Sequence, residues 1–171
     1  MPRNKSFGLP VAVIDNTLLS RLARLEITEL LPLIFDKILI PIEVRQEAFK
    51  APNRRRLRNL LNEMQGFFVL CSEDDFLVKE LLKIDLDEGE AAAIAQAEYT
   101  NSALILDEKK GRNQAEKREL IVFPTLKILC LLKEFGGISE VKPYLDKLVK
   151  MKFYLSIKLY NSTLKEAGEI D

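Results

Sequence analysis

The chain has 171 residues, 47% of them hydrophobic and 30% charged, which is the composition of a globular protein with a core of its own. Lys plus Arg equals Asp plus Glu at 26 each, so no whole-molecule field draws it to nucleic acid, and any such surface must be a local patch. Histidine is absent, which excludes imidazole acid–base catalysis, Ser-His triads and His-rich zinc sites, and leaves oxygen-ligated magnesium or manganese as the first metals to consider.

Val11-Ala12-Val13-Ile14 is apolar on consecutive positions, the habit of a parallel strand covered on both faces, and it ends in Asp15-Asn16-Thr17. A helical pattern follows through Leu18, Leu19, Leu22 and Leu25, then a second through Leu30, Leu31 and Ile34. Lys37 to Ile40 is a second strand, stopped by Pro41, which suits the first turn of a helix carrying Val44, Ala48 and Phe49. Pro52-Asn53 opens a basic helix from Arg54 to Met64. Gly66 ends it, and Phe67 to Leu70 makes a third strand. A helix over Asp74 to Lys83 turns Phe76, Leu77, Leu81 and Leu82 inward, and Asp87 caps an alanine-rich helix from Glu88 to about Tyr99. Ala103 to Leu106 is the fourth strand, ending in Asp107. A charged helix spans Glu108 to Arg118, and Leu120 to Phe123, closed by Pro124, is the fifth strand. Helices complete the chain at Leu126–Phe135, Ile138–Val149 and about Ser156–Ala167, with Gly136-Gly137 as a break.

Strands alternating with helices, without hairpin signals, predict an α/β fold with a parallel sheet and helices on both faces. No repeat or linker divides the chain, so residues 1–171 are expected to form a single domain. Its core would run over about 9–150, with a helical tail over about 151–171 that docks on it or on a second copy. Cys71 and Cys130 lie far apart in apolar segments and read as buried hydrophobes of a reducing compartment. The apolar run after Arg3 and Lys5 is too short for a signal peptide and nothing reaches membrane-spanning length, so the expected location is the cytoplasm.

The acids carry the chemistry. Asp15 and Asp107 each follow an apolar strand and precede a helix, which fits a helix N-cap as well as a site. In a parallel sheet both would lie on one edge, where ligands of open α/β sheets bind. On neighbouring strands their backbones would be about 4.8 Å apart, and two bare carboxylates so close raise a pKa unless a divalent ion sits between them. Glu90 has capping-box spacing to Asp87, yet shares a helix face with Ile94 and Ala97 and so points inward. Glu43 and Glu47 lie one turn apart, and periodicity alone makes either a solvated face residue. There is no G-x-G-x-x-G after the first strand and no Walker lysine, which argues against dinucleotide and P-loop chemistry. The acid after the fourth strand fits a phospho-receiver domain poorly.

Five pieces in order resemble a known family: Val13-Ile14-Asp15-Asn16-Thr17 with Leu18-Leu19; Ile40-Pro41 with Val44 and Glu47; Leu86 to Ala91; Leu106-Asp107-Glu108 with Gly111-Arg112 and Ala115; and Leu164 to Glu169. The chain is similar to PIN domains, the metal-dependent nuclease fold, and within them to a compact prokaryotic subfamily of predicted nucleic-acid-binding proteins. The resemblance implies a three-layer α/β/α sandwich with a five-stranded parallel sheet, and an acidic site of Asp15, Glu47, Glu90 and Asp107 binding Mg2+ or Mn2+. It selects Glu47 over Glu43. Two departures stand out. No further acid follows Asp107 in Lys109-Lys110-Gly111-Arg112-Asn113, and Pro124-Thr125 stands where the family often has Gly-Thr, keeping the hydroxyl but not the glycine.

On this reading the protein is a ribonuclease that hydrolyses RNA phosphodiester bonds, either an RNA-processing enzyme or a VapC-like toxin with an antitoxin partner. Homodimerisation is the family's habit. Asn16 and Thr17 would orient a water or a carboxylate, and Lys109, Lys110 and Arg112 would meet substrate phosphates. Arg54 and Arg55, in the run through Arg58, are a second backbone-contact candidate, with a solvated helix face as the simpler account. For Arg112 the simpler account is a salt bridge to Glu108 at i+4. The competing functions are a non-catalytic PIN-fold module binding RNA or a protein, and a structural domain whose acids only cap helices.

Overall fold

A computed structural model describes residues 11–50, 54–72 and 75–171. The predicted roles of Pro52 and Asn53, and of Asp74, lie outside these residues, as does the inward side chain expected of Phe76. Five parallel strands, β1 (Val11–Ile14), β2 (Lys37–Pro41), β3 (Phe68–Cys71), β4 (Ala103–Ile105) and β5 (Val122–Phe123), lie in the order β3-β2-β1-β4-β5. The helices are α1 (Asn16–Leu25), α2 (Ile42–Ala48), α3 (Arg54–Glu63), α4 (Asp75–Leu82), α5 (Glu88–Thr100), α6 (Lys109–Lys117), α7 (Thr125–Glu134), α8 (Lys142–Lys150) and α9 (Ile157–Glu166).

The consecutive apolar residues of the central strands divide between two cores. Ala12, Ile14, Ile38, Ile40 and Ile105 face one side, under Leu18, Leu22, Val44, Leu57, Ile128 and Leu145. Val13 and Leu104 face the other, under Leu81, Ala91, Ile94 and Ala115. This is the expected α/β/α arrangement, and it follows from a strand's two-residue period when both faces are covered.

The layering places the site. The chain leaves β1 through α1 into the first layer and leaves β4 through α6 into the second. β1 and β4 are adjacent, with Val13 opposite Leu104 and Ile14 opposite Ile105. Two neighbouring strands whose continuations part to opposite faces leave a crevice at their carboxyl ends, the usual ligand position of an open α/β sheet.

Several expectations are corrected. The second helical pattern is a 3₁₀ turn, Thr28–Leu33, because Pro32 inside it supplies no N–H for an α-helical ladder. The expected helix from Ile138 starts only at Lys142, with Pro143 in its first turn. Gly137 and Ile138 instead give their N–H groups to Leu132 O, at 2.7 and 3.3 Å, and still belong to the end of α7. Leu82 is exposed rather than inward, and Cys71, on edge strand β3, is only half-buried. Cys130 is buried as expected, and burial pushes its thiol up to about 11.

The tail docks on its own chain. Thr163 and Leu164 of α9 are buried, and Glu169 accepts the Lys142 N–H at 3.0 Å, the Val141 N–H at 2.5 Å and the Lys133 ammonium at 2.9 Å. Burial alone would raise the Glu169 pKa, but these donors outweigh it and hold the carboxyl below its ordinary range. Among the described residues no helix is long and apolar enough to cross a membrane.

Candidate active site

Asp15 leaves the end of β1 and turns its carboxylate onto the start of α1, accepting the N–H of Leu18 at 3.0 Å and of Thr17 at 3.2 Å. It is therefore a helix cap, as Asp commonly is. It is also 3% exposed and lines an open cleft of about 760 Å³ beyond β1 and β4. Burial, helped by the charges of Asp107 and Glu90 and opposed by the two backbone donors, pushes its pKa up to about 7. The cap and the site are the same residue.

Asp107 lines the same cleft but does not cap the helix that follows it in the chain. The residue before α6 is Glu108, whose side chain makes no capping bond. Asp107 Oδ1 instead accepts the backbone N–H of Thr125 at 2.8 Å, and Oδ2 accepts the Thr125 hydroxyl at 2.5 Å and pairs with the Arg21 guanidinium. Thr125 is fully buried at the first position of α7, so the hydroxyl kept beside Pro124 is put to use. Arg21 is half-buried, and its guanidinium lies 4.6 Å from the centre of the Phe153 ring, a cation–π contact.

Glu90 is buried at the third position of α5. Asp87 and Glu90 form a complete capping box, with Glu90 N–H to Asp87 at 2.7 Å and Asp87 N–H to Glu90 Oε2 at 3.3 Å. Its other oxygen faces Gly111 of α6, where an added Cβ would stand 3.5 Å from Oε1 and 2.7 Å from Leu106 Cδ2. Glycine thus lets α6 close over the acid. Burial raises the Glu90 pKa, the Asp87 and Glu108 charges add to it, and the Asp87 N–H and Lys110 oppose it. Lys110, paired with Asp85 at 2.5 Å, Lys109 and Arg112 line the cleft on this side, as does Thr17.

Other expected members sit elsewhere. Glu47 does not line the cleft. Its carboxylate lies against the start of α5, taking the Gly89 N–H, so close that a Cβ on Gly89 would fall 2.7 Å from Oε2. Burial and the charges of Asp87 and Glu88 raise its pKa. It fills an open donor of a helix N-terminus instead of converging with the other three acids. Asn16 turns away to Ser20, whose hydroxyl is 3.5 Å from its Oδ1. Arg55 lines a separate hollow with Glu26, Glu29 and Glu63, and Arg54 is exposed on the same helix, so neither lines the cleft of the acids. The Glu108–Arg112 salt bridge does not form among the described residues. The two are joined through the backbone, and the Arg112 Nε is buried without a partner.

For a divalent ion the donor chemistry fits. Asp15, Glu90 and Asp107 offer only carboxylate oxygen to one cleft, and their mutual repulsion is what a hard cation relieves. Convergence is incomplete: among the described residues no three acids come together as a metal shell. The cause is visible in the bonds. Arg21 supplies the positive charge at Asp107, and Glu90 is folded back onto Asp87. A carboxylate has about four lone-pair positions, so Asp107 can keep Thr125 and still ligate once Arg21 shifts.

Arg21 and the Phe153 loop were not singled out by sequence reasoning. The signal for Arg21 was its i+4 spacing from Thr17, which puts it on the polar face of α1 beside the acid. Nothing in the sequence joins residue 153 to residue 15.

A family model described as a PIN domain matches residues 11–169. No curated protein matches. Among solved structures, a PilT N-terminus domain protein from the archaeon Sulfolobus solfataricus P2 is similar with 18% identity, covering 73% of this chain and 92% of its own, at a TM-score of 0.44. VapBC2 from Rickettsia felis, solved with a DNA fragment from its promoter, is similar with 13% identity over 67% of this chain and 98% of its own, at a TM-score of 0.47. The family match spans nearly the whole chain, and the chain belongs to the PIN-domain family.

Proposed function

We propose that this chain is a magnesium- or manganese-dependent endoribonuclease acting at the Asp15–Glu90–Asp107 cleft. The observation that carries the reading is the placement of three acids from three elements in one cleft at the β1/β4 crevice, with the Asp15 pKa pushed up to about 7. Family membership supports it, because PIN domains are generally nucleases.

Asp15, Glu90 and Asp107 would hold the ion. When bound, it acidifies water and stabilises the charge that builds on the phosphate. The protein does the rest. Backbone N–H groups of Thr17 and Leu18 fix the Asp15 carboxylate, and Thr125 fixes that of Asp107 with two donors. Lys109, Lys110 and Arg112 meet phosphate oxygens along the strand, positioning it without reading sequence. Glu47 acts at one remove, by holding the start of α5 that presents Glu90.

One observation favours a second reading, a non-catalytic PIN-fold module: Arg21 already neutralises Asp107, and the acids stop short of a shell. Labelled single-stranded RNA incubated with Mn2+ separates the two. An enzyme cuts it, is silenced by chelation, and loses at least ~100-fold on Asp107→Asn, about 2.7 kcal/mol of barrier. A module binds the RNA and leaves it whole. The toxin role, with an antitoxin partner and a homodimer, belongs to the same proposal. It predicts a small gene directly upstream and arrest of growth on expression, relieved by Asp107→Asn.

A further inference from the structure

The cleft is lined as well by the loop between α8 and α9, through Phe153 and Tyr154, and by Leu159 at the start of α9. Its two aromatic neighbours are treated differently. Phe153 turns inward beneath the Arg21 guanidinium, which ties the loop to Asp107 through one shared cation. Tyr154, the next residue, lines the cleft and is 89% exposed. An aromatic ring gains strongly from burial, and a tyrosine left this bare at the mouth of a charged cleft is a surface without its occupant. Lys152 and Lys158 stand exposed on either side of it in the chain, and Lys109 and Lys110 line the same cleft beside its acids.

A flat apolar face at a cleft that also carries lysines matches a ligand with flat apolar faces on an anionic backbone. In a duplex those faces are stacked inside and out of reach. In a single strand they are open, and sequence-independent binders pair cationic grooves with aromatic platforms for this reason. A purely apolar protein partner suits the place less well, because it would strand the surrounding charges away from water.

We infer that Tyr154 is a stacking platform for an unpaired base of a nucleic-acid strand whose phosphates are met by Lys109 and Lys110. The inference rests on the nucleic-acid reading of this cleft and adds the residue that holds a base of the bound strand. Tyr154 is a positioning residue here and takes no part in the chemistry.

The chain contains no tryptophan, so Tyr154→Trp provides a single indole at the site. In an Asp15→Asn background, where RNA stays intact, a 12-nucleotide RNA is titrated in as single strand and as duplex. The expected result is quenching of the indole by the single strand, with little response to the duplex. In parallel, Tyr154→Ala should weaken single-strand binding by about five- to hundred-fold, while Tyr154→Phe keeps it. Single-strand binding unchanged in Tyr154→Ala and without quenching would overturn the platform and leave the nuclease reading standing. Failure of every variant to bind RNA would overturn both. An indole that is shielded without RNA, in a species sedimenting as a dimer, would show that a second copy covers Tyr154, and would also overturn the inference.

Discussion

Asp15 and Asp107 end adjacent strands at one edge of the sheet, each after an apolar run and before a helix, yet their carboxylates are held in opposite ways. Asp15 is satisfied locally, by two N–H groups of its own helix, and faces the other acids with no ion pair among the described residues. Asp107 is satisfied from a distance, by Thr125 eighteen residues on and Arg21 eighty-six residues back. The first is a strained charge in a sound cap, and the second is a paired charge in a site built by three segments. A shared sequence motif at a strand end therefore fixes the position of an acid without fixing its electrostatics. Those depend on what the rest of the fold brings to it.

The sharpest way to break this contrast is to neutralise each acid in turn in metal-free protein. Asparagine caps a helix as well as aspartate does, so Asp15→Asn removes the charge and keeps the cap. The folded pKa of Asp15 is raised from 3.8 to about 7, so its ionisation opposes folding. Its stability contribution is fully present below pH 3.8 and lost as pH rises through about 7. Asp15→Asn should accordingly stabilise the protein at pH 8 by ~1–3 kcal/mol and do little at pH 4, measured by urea denaturation with chelator present. Asp107→Asn should act with the opposite sign, costing ~2–3 kcal/mol at pH 8, because it leaves the half-buried Arg21 without its counter-charge. Equal effects from the two substitutions would erase the distinction.

A finer cut is Thr125→Val, which keeps shape and removes the hydroxyl that reaches Asp107. The backbone donor remains, so a loss of ~1–2 kcal/mol is expected in the same denaturation series. The smallest effect concerns the cations. Neutralising Lys109 or Lys110 should flatten the salt dependence of RNA binding by roughly one unit of slope each, whereas neutralising Arg54 or Arg55 should leave it unchanged.

How much of this was legible beforehand differs by kind of interaction. The strands, the parallel sheet and the acids at their ends follow from consecutive β-branched residues and their stops. The capping box of Asp87 and Glu90 follows from spacing alone. Proline accounts for two misplaced helical segments, at Pro32 and Pro143, where a missing N–H outweighs an apolar pattern. The position of Glu47 was not legible, because it depends on which side of the α5 start the α2 side chains approach, a matter of tertiary packing. Arg21 and Phe153 were missed for a related reason. Each belongs to the site through a partner remote in the chain, and a lone arginine on a helix face looks solvated until that partner is known.

The measurement that tests the central claim most directly is a calorimetric titration of Mn2+ into the wild type and into the Asp15→Asn, Asp107→Asn double mutant, with folding of both checked by circular dichroism. The acidic cleft as a metal centre predicts saturable binding to the wild type and none to the folded double mutant. Equal binding to both proteins, or none to either, would contradict it and leave Asp15 a helix cap and Asp107 a structural ion pair.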